Sequence, residues 1–287
     1  MKIPVVWYPH DRITCSAAAM LNEMFDCSGV EHYHGFGELP MEAQGAVIVF
    51  HGQQVLNPQS LARLATELDW IIFVSIGDEG CYFPYHLLQH KNTRLWIQTP
   101  KPERVRADRY LIEGYPANCH EMLGKVGDIP RDLSWFFAGQ ITHDRRKEFA
   151  DSLWNCPPRS IFWQTDGFGK GYSPEDYFYY MRRSKIVPCP AGPLTPDSFR
   201  FAEALEAGAV PILDAYAPDG VKGYWEMVLG SHPFHVVEDW ATLPKVMEEI
   251  LRNFEYEQRL TQYWWKHYKL QMKTIWLAQD LIALGAK

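Results

Sequence analysis

Residues 184–213 read SKIVPCPAGPLTPDSFRFAEALEAGAVPIL. The apolar run Lys185–Cys189 meets a Pro/Gly loop, and Thr195 followed by Pro196 is a helix-start signature: a capping side chain, then a residue whose fixed φ suits the first helical position. The spacing predicts a helix over 196–207, Gly208 just past its end, and a further strand over 210–213. A helix start at the carboxyl end of a strand presents unpaired backbone N–H groups and the positive end of the helix dipole, which together favour a phosphate. Arg200 falls in the first turns, where a guanidinium can grip a diphosphate through two parallel bonds. Glu203 lies one turn further along the same face, where a carboxylate can accept both hydroxyls of a ribose. The competing interpretation of Arg200 and Glu203 is an i,i+3 surface pair.

Around this stretch the chain alternates short apolar runs with helical segments. Strands are predicted over 3–8, 46–50, 70–76, 94–98 and 110–113, with helices near 17–25 and 58–68. A second series follows, with strands over 134–138, 161–164, 185–189, 210–213 and 235–237 and helices near 143–153, 174–183, 196–207 and 241–253. Such alternation implies βαβ units and parallel sheets. The segment 114–132, with Gly114, Pro116, Gly124, Gly127 and Pro130, is the expected linker. The expected division is 1–125 as an N-terminal Rossmann-like lobe, 126–262 as a C-terminal lobe, and 263–287 as a C-terminal helix packing on the first lobe.

The 287 residues are 47% hydrophobic and 22% charged, a globular balance that excludes disorder. Eleven Trp and fifteen Tyr exceed ordinary core needs and suit surfaces that stack on planar or sugar ligands. A net charge of −7 argues against non-specific polyanion binding. The six cysteines (Cys15, Cys27, Cys81, Cys119, Cys156, Cys189) have no zinc-ligand spacing and are expected as free thiols. The opening MKIPVVWYPHDR is too short an apolar run for a signal sequence, and no stretch approaches the roughly 18 residues of a membrane span, so a soluble, cytoplasmic protein is expected.

The pattern S-x-R-x-x-E-A-x-x-x-G-x-x-P-[IV], matched by Ser198, Arg200, Glu203, Ala204, Gly208, Pro211 and Ile212, resembles the donor element of the exostosin-type glycosyltransferases. Upstream, Trp135–Gly139 followed by Arg145 and Arg146 resembles that family's F-F-x-G…R element, and Tyr180…Ser184 its approach to the P-x-G loop containing Gly192. The resemblance spans roughly residues 134–215 and implies an α/β GT-B fold of two Rossmann-like doubly wound lobes facing a cleft. It also implies inverting transfer from a nucleoside-diphosphate sugar, a UDP-sugar above others, with no metal or other cofactor required. The implied donor-binding residues are Gly139, Arg145, Arg146, Gly192, Thr195, Ser198, Arg200 and Glu203. Two features of the sequence agree. It contains no Asp-x-Asp, the usual metal-holding motif of metal-dependent transferases, and Gly139 and Arg145 follow a strand, where a phosphate can approach the backbone and a guanidinium can neutralise a leaving group. A more distant similarity is to fucosyltransferases, whose donor motif also ends in A-G-A-V-P-I. The N-terminal lobe does not follow the exostosin pattern.

Inverting transfer needs a general base, expected from the first lobe at the carboxyl ends of its strands. His51 after the strand over 46–50, Asp78 and Glu79 after 70–76, and His10 with Asp11 after the first strand are the candidates. The basic stripe of Arg94, Lys101, Arg104, Arg106 and Arg109 is either a solvated face or a seat for an anionic acceptor. Three functions stay open: transfer to a hydroxyl of a bacterial or viral glycan, phage-type glycosylation of hydroxymethylated DNA bases, and a catalytically silent sugar-nucleotide or glycan-binding module. No obligate protein partner is implied.

Overall fold

The computed structural model describes residues 2–8, 18–167, 170–216 and 222–286. The chain forms two compact units, Met1–Ala117 together with His267–Lys287, and Asn118–Lys266.

In the first unit, β1 (Ile3–Tyr8), β2 (Val30–His34), β3 (Gly45–His51), β4 (Trp70–Ile76), β5 (Thr93–Gln98) and β6 (Arg109–Leu111) form one parallel sheet in the order β2-β1-β3-β4-β5-β6. Helices α1 (Ala19–Phe25) and α2 (Pro58–Glu67) connect its early strands. The inner strands β3 and β4 are almost wholly buried, so they read as continuous apolar runs and are legible in sequence. Strand β2, VEHYH, is absent from the sequence-based prediction. It sits at the sheet edge and carries polar residues where the inner strands carry Val and Ile.

The second unit contains α3 (Cys119–Val126), β7 (Leu133–Gly139), α4 (Asp144–Ser152), β8 (Ser160–Gln164), α5 (Pro174–Arg183), β9 (Ser184–Cys189), α6 (Phe199–Glu206), β10 (Val210–Asp214), α7 (Tyr224–Leu229), β11 (His235–Val237) and α8 (Leu243–Arg252). Its sheet is parallel, in the order β11-β10-β9-β7-β8. Trp135 and Phe137 of β7 pack with Phe149, Trp240, Met247 and Ile250 to form the core on one face. Two parallel-sheet, Rossmann-like layers make up the α/β architecture expected from the alternation of strands and helices in the sequence.

The segment expected as a linker contains α3, whose Cys119 and Leu123 are buried. Gly124 inside the helix and Gly127 at its end, with φ +64°, hide the helical period. After α8 the chain runs through α9 (Phe254–Gln271), a single π turn (Met272–Trp276) and α10 (Leu277–Ala283). A π turn inserts an extra residue and so rotates the face that follows. Beyond it, Asp280 accepts hydrogen bonds from Trp96 Nε1 (2.7 Å) and Arg109 Nε (2.8 Å), and the Arg109 guanidinium lies over the Trp96 and Trp276 rings. No helix among the described residues is long and apolar enough to cross a membrane.

Candidate functional site

Each sheet has a point where the strand order reverses. β7 has β8 on one side and β9 on the other, so consecutive crossovers leave in opposite directions, and the carboxyl edge between β7 and β9 is the switch point at which doubly wound sheets bind ligands. Gly139 ends β7, Pro190–Gly192 follow β9, and α6 starts above them.

Helix α6 begins at Phe199, later than the Thr195–Pro196 signature suggests. Ser198, with extended backbone (φ −163°, ψ 158°), is the residue before its first turn. Thr195 to Asp197 instead form a buried turn folded back on Gly192, where a Cβ would lie 2.9 Å from the Asp197 carbonyl and 3.2 Å from that of Thr195. Pro196 serves this turn with the same fixed φ that would have served a helix start. The Asp197 carboxylate accepts the Ser198 N–H at 2.7 Å. At the other end, Gly208 takes φ +78°, and the N–H groups of Gly208 and Ala209 bond to the carbonyls of Leu205 and Ala204, which is a Schellman close.

Arg200 is 9% exposed. Its Nη2 donates to the Ala138 carbonyl at 2.7 Å, and its guanidinium lies 4.4 Å from the centroid of the Phe137 ring. Its Nε is buried with no hydrogen-bond partner, and so is Ser198 Oγ. Buried donors left without partners are costly unless something else satisfies them. Gly139 permits the approach, since a Cβ there would sit 2.6 Å from Arg200 Nη2.

Arg146 joins this group. Its Nε donates to the Ala191 carbonyl (2.9 Å) and Nη1 to that of Gln140 (3.0 Å). Burial, with the like charge of Arg200, pushes its guanidinium down to about 10. The half-buried Arg146 guanidinium and the buried Arg200 guanidinium repel each other, and such a pair is complementary to an anion. Glu203 is buried one turn along α6. Burial raises its carboxyl, and its Oε2 accepts the Tyr177 hydroxyl at 2.8 Å.

Arg145, expected beside the donor, is placed elsewhere. Its guanidinium is held by Asp214 (2.8 Å), Glu148 (2.8 Å) and the carbonyls of Val237 and Glu238. Asp214 is fully buried at the end of β10. It also accepts the Ala191 N–H (3.0 Å), the Tyr216 N–H (3.0 Å) and Trp240 Nε1 (3.1 Å). Arg145 and Asp214 thus brace the loop on which Arg146 rests. The i/i+1 spacing of Arg145 and Arg146 turns one inward and lets the other reach the Ala191 carbonyl. Sequence reasoning missed Asp214, Tyr177 and His143, whose Nε2 lies 3.1 Å from the Ala191 carbonyl. A carboxylate ending an apolar strand is a visible signal for Asp214; Tyr177, 26 residues from Glu203, gives none.

In the first unit, β3 and β4 end side by side, with His51 opposite Ile76. Asp78 is 1% exposed and accepts the N–H groups of Tyr82 (3.1 Å) and Phe83 (3.0 Å) and the Tyr85 hydroxyl (2.9 Å). Its oxygens are satisfied by the turn it organises. His51 lies against Gly77, where a Cβ would fall 2.2 Å from Nε2, and its buried Nδ1 has no hydrogen-bond partner. Burial lowers the imidazole's proton affinity more than the nearby Asp78 charge restores it, so the ring is neutral at pH 7. The Glu79 carboxyl is raised by burial and held back by Lys101. Cys81 (φ +48°) and Thr99 (φ +49°) place left-handed backbone at this same edge. His10 and Asp11 lie outside the described residues. Of the basic stripe, Arg94 pairs with Asp108, Arg104 donates to the Gly80 carbonyl, and Arg109 pairs with Asp280.

Among the described residues no group of three or more His, Cys, Asp or Glu side chains is placed to hold a metal ion. Residues 163–279 match the model of the RXYLT1 C-terminal domain. No curated protein sequence matches the chain. Among solved structures, the chain is similar to Anabaena HepE in complex with UDP, at 10% identity and TM-score 0.48 over 99% of this chain and 100% of that one. It is also similar to T4 phage BGT in complex with UDP-glucose, at 10% identity and TM-score 0.45 over 99% of both chains. T4 phage BGT with UDP and Mn2+ is matched at 10% identity and TM-score 0.46 over 99% of both.

Proposed function

We propose, from the match of residues 163–279 to the RXYLT1 C-terminal domain, that the chain is an exostosin-like glycosyltransferase that moves a sugar from a nucleoside-diphosphate sugar, a UDP-sugar, to a hydroxyl of a glycan acceptor, with inversion and without a metal ion. The observation that carries this reading is the group at the carboxyl edge of β7 and β9. Arg200 Nε and Ser198 Oγ are buried without partners beside the start of α6, and Arg146 is the second guanidinium.

A diphosphate would receive these donors, and its developing charge on departure would meet two guanidiniums and the helix dipole, the work a divalent ion performs elsewhere. Glu203, one turn on, is the acceptor for ribose hydroxyls. Thr195 and Gly192 shape the turn beneath, and Arg145 supports it through Asp214. His51 is the base on this reading. It is neutral, has an unsatisfied ring nitrogen, and sits at a strand end against Gly77, whereas Asp78 is occupied by three donors. Its part is to take the proton of the acceptor hydroxyl as that oxygen attacks the anomeric carbon.

A glycan is favoured over DNA as acceptor because Arg94, Arg104 and Arg109 already have partners within the unit. An enzyme is favoured over a silent module because His51 is held in the basic form. The test is chromatographic release of UDP from a panel of UDP-sugars, with and without a glycan mixture and with excess EDTA. The reading expects release of UDP from one sugar nucleotide, undiminished by EDTA and lost in Arg200→Ala. Release that EDTA abolishes would remove metal independence, and no release from any UDP-sugar would remove the reading.

A further inference from the structure

Glu203 does not face its site alone. Tyr177 reaches it from α5, and the phenol is fixed edge-on against Phe136 of β7 (5.5 Å between centroids, 66° between planes) and against Phe178 (5.4 Å, 84°). Resting on the nucleotide reading of α6, we propose that Tyr177 is a positioning residue that orients Glu203 toward the ribose and thereby sets a preference for ribonucleotides over 2′-deoxyribonucleotides. With Oε2 held by a protein donor, Oε1 is the oxygen presented to a ligand, and the carboxylate has one orientation instead of a choice of rotamers.

The hydroxyl also governs the charge on Glu203. The titratable groups facing this carboxylate are Tyr177 from α5, Cys189 from the end of β9 and Arg200 from its own helix. Burial raises the carboxyl, and the Tyr177 bond and Arg200 oppose that rise. A ribose hydroxyl donates, so it needs the ionised form. Without the Tyr177 hydroxyl, one of the two opposing influences is lost and Glu203 takes up its proton at higher pH.

The experiment is calorimetric binding of UDP and 2′-deoxy-UDP to the wild type and to Tyr177→Phe between about pH 5.5 and 8.5. The ratio of the two affinities at each pH cancels the titration of the phosphates. The wild type is expected to prefer UDP by about tenfold at the alkaline end, the equivalent of one charge-assisted hydrogen bond. In Tyr177→Phe, which keeps the ring packing, the preference shrinks severalfold and its fall on acidification begins at higher pH. A role confined to packing would leave both ratio and profile in place, and an unchanged Tyr177→Phe would overturn the proposal while UDP binding by the wild type upheld the nucleotide site. Failure of the wild type to bind UDP would instead overturn the reading on which it rests.

Discussion

Replacing Gly139 by alanine separates the donor site from the stability of the fold. The new Cβ would fall 2.6 Å from Arg200 Nη2 and 3.3 Å from Phe137 Cζ. The guanidinium is the far end of a flexible chain, so the least costly relief is to swing it aside. That breaks its 2.7 Å bond to the Ala138 carbonyl and its contact with the Phe137 ring. Together these are worth about 1–2 kcal/mol, or roughly 3–6 °C in Tm for a unit of this size. The cost to the ligand is greater, because a displaced guanidinium forfeits a charge-assisted bond to phosphate, and UDP affinity is expected to fall about tenfold to a hundredfold. Calorimetry with UDP and a thermal melt of the same preparation measure both. UDP affinity within about twofold of wild type, alongside the expected fall in Tm, would refute the placement of Arg200 against the diphosphate.

Three further outcomes follow from the same geometry. His51→Gln should lower turnover by about a hundredfold to ten-thousandfold while leaving UDP affinity unchanged; because burial lowers the His51 pKa, the wild-type rate should be retained down to a pH below that of an ordinary imidazole and be lost as the ring protonates. Asp280→Ala should cost about 2–4 kcal/mol in urea denaturation, since it leaves the largely buried Arg109 guanidinium without its carboxylate. Cys81, pushed up to about 11 by burial, and Cys156, pushed up to about 12 by burial, should resist iodoacetamide at pH 7.5 in the folded protein and react once it is unfolded, as read by mass spectrometry.

What the sequence disclosed follows the physics of burial. Inner strands such as β3 and β4 are apolar along their whole length because both faces are covered, whereas β2 at the edge carries Glu31 and two histidines and escapes notice. The α6 element is legible through Gly208 at its close, yet it begins at Phe199, three residues beyond Pro196, because Pro196 suits a tight turn and a helix start equally. Arg145 and Arg146 cannot be told apart in sequence; their roles depend on a buried carboxylate 69 residues from Arg145. His51, Asp78 and Glu79 look alike in sequence, because the three donors that occupy Asp78 come from Tyr82, Phe83 and Tyr85, whose approach depends on the fold of the segment that follows.

The account rests on Arg200 Nε and Ser198 Oγ being left for a diphosphate, with Arg146 as a second positive charge near Arg200, and titration calorimetry of UDP against wild type and Arg200→Ala tests this most directly. Binding by the wild type, weakened at least about tenfold in the variant, is the predicted result; equal affinity in the two proteins, or no binding to the wild type, would contradict it.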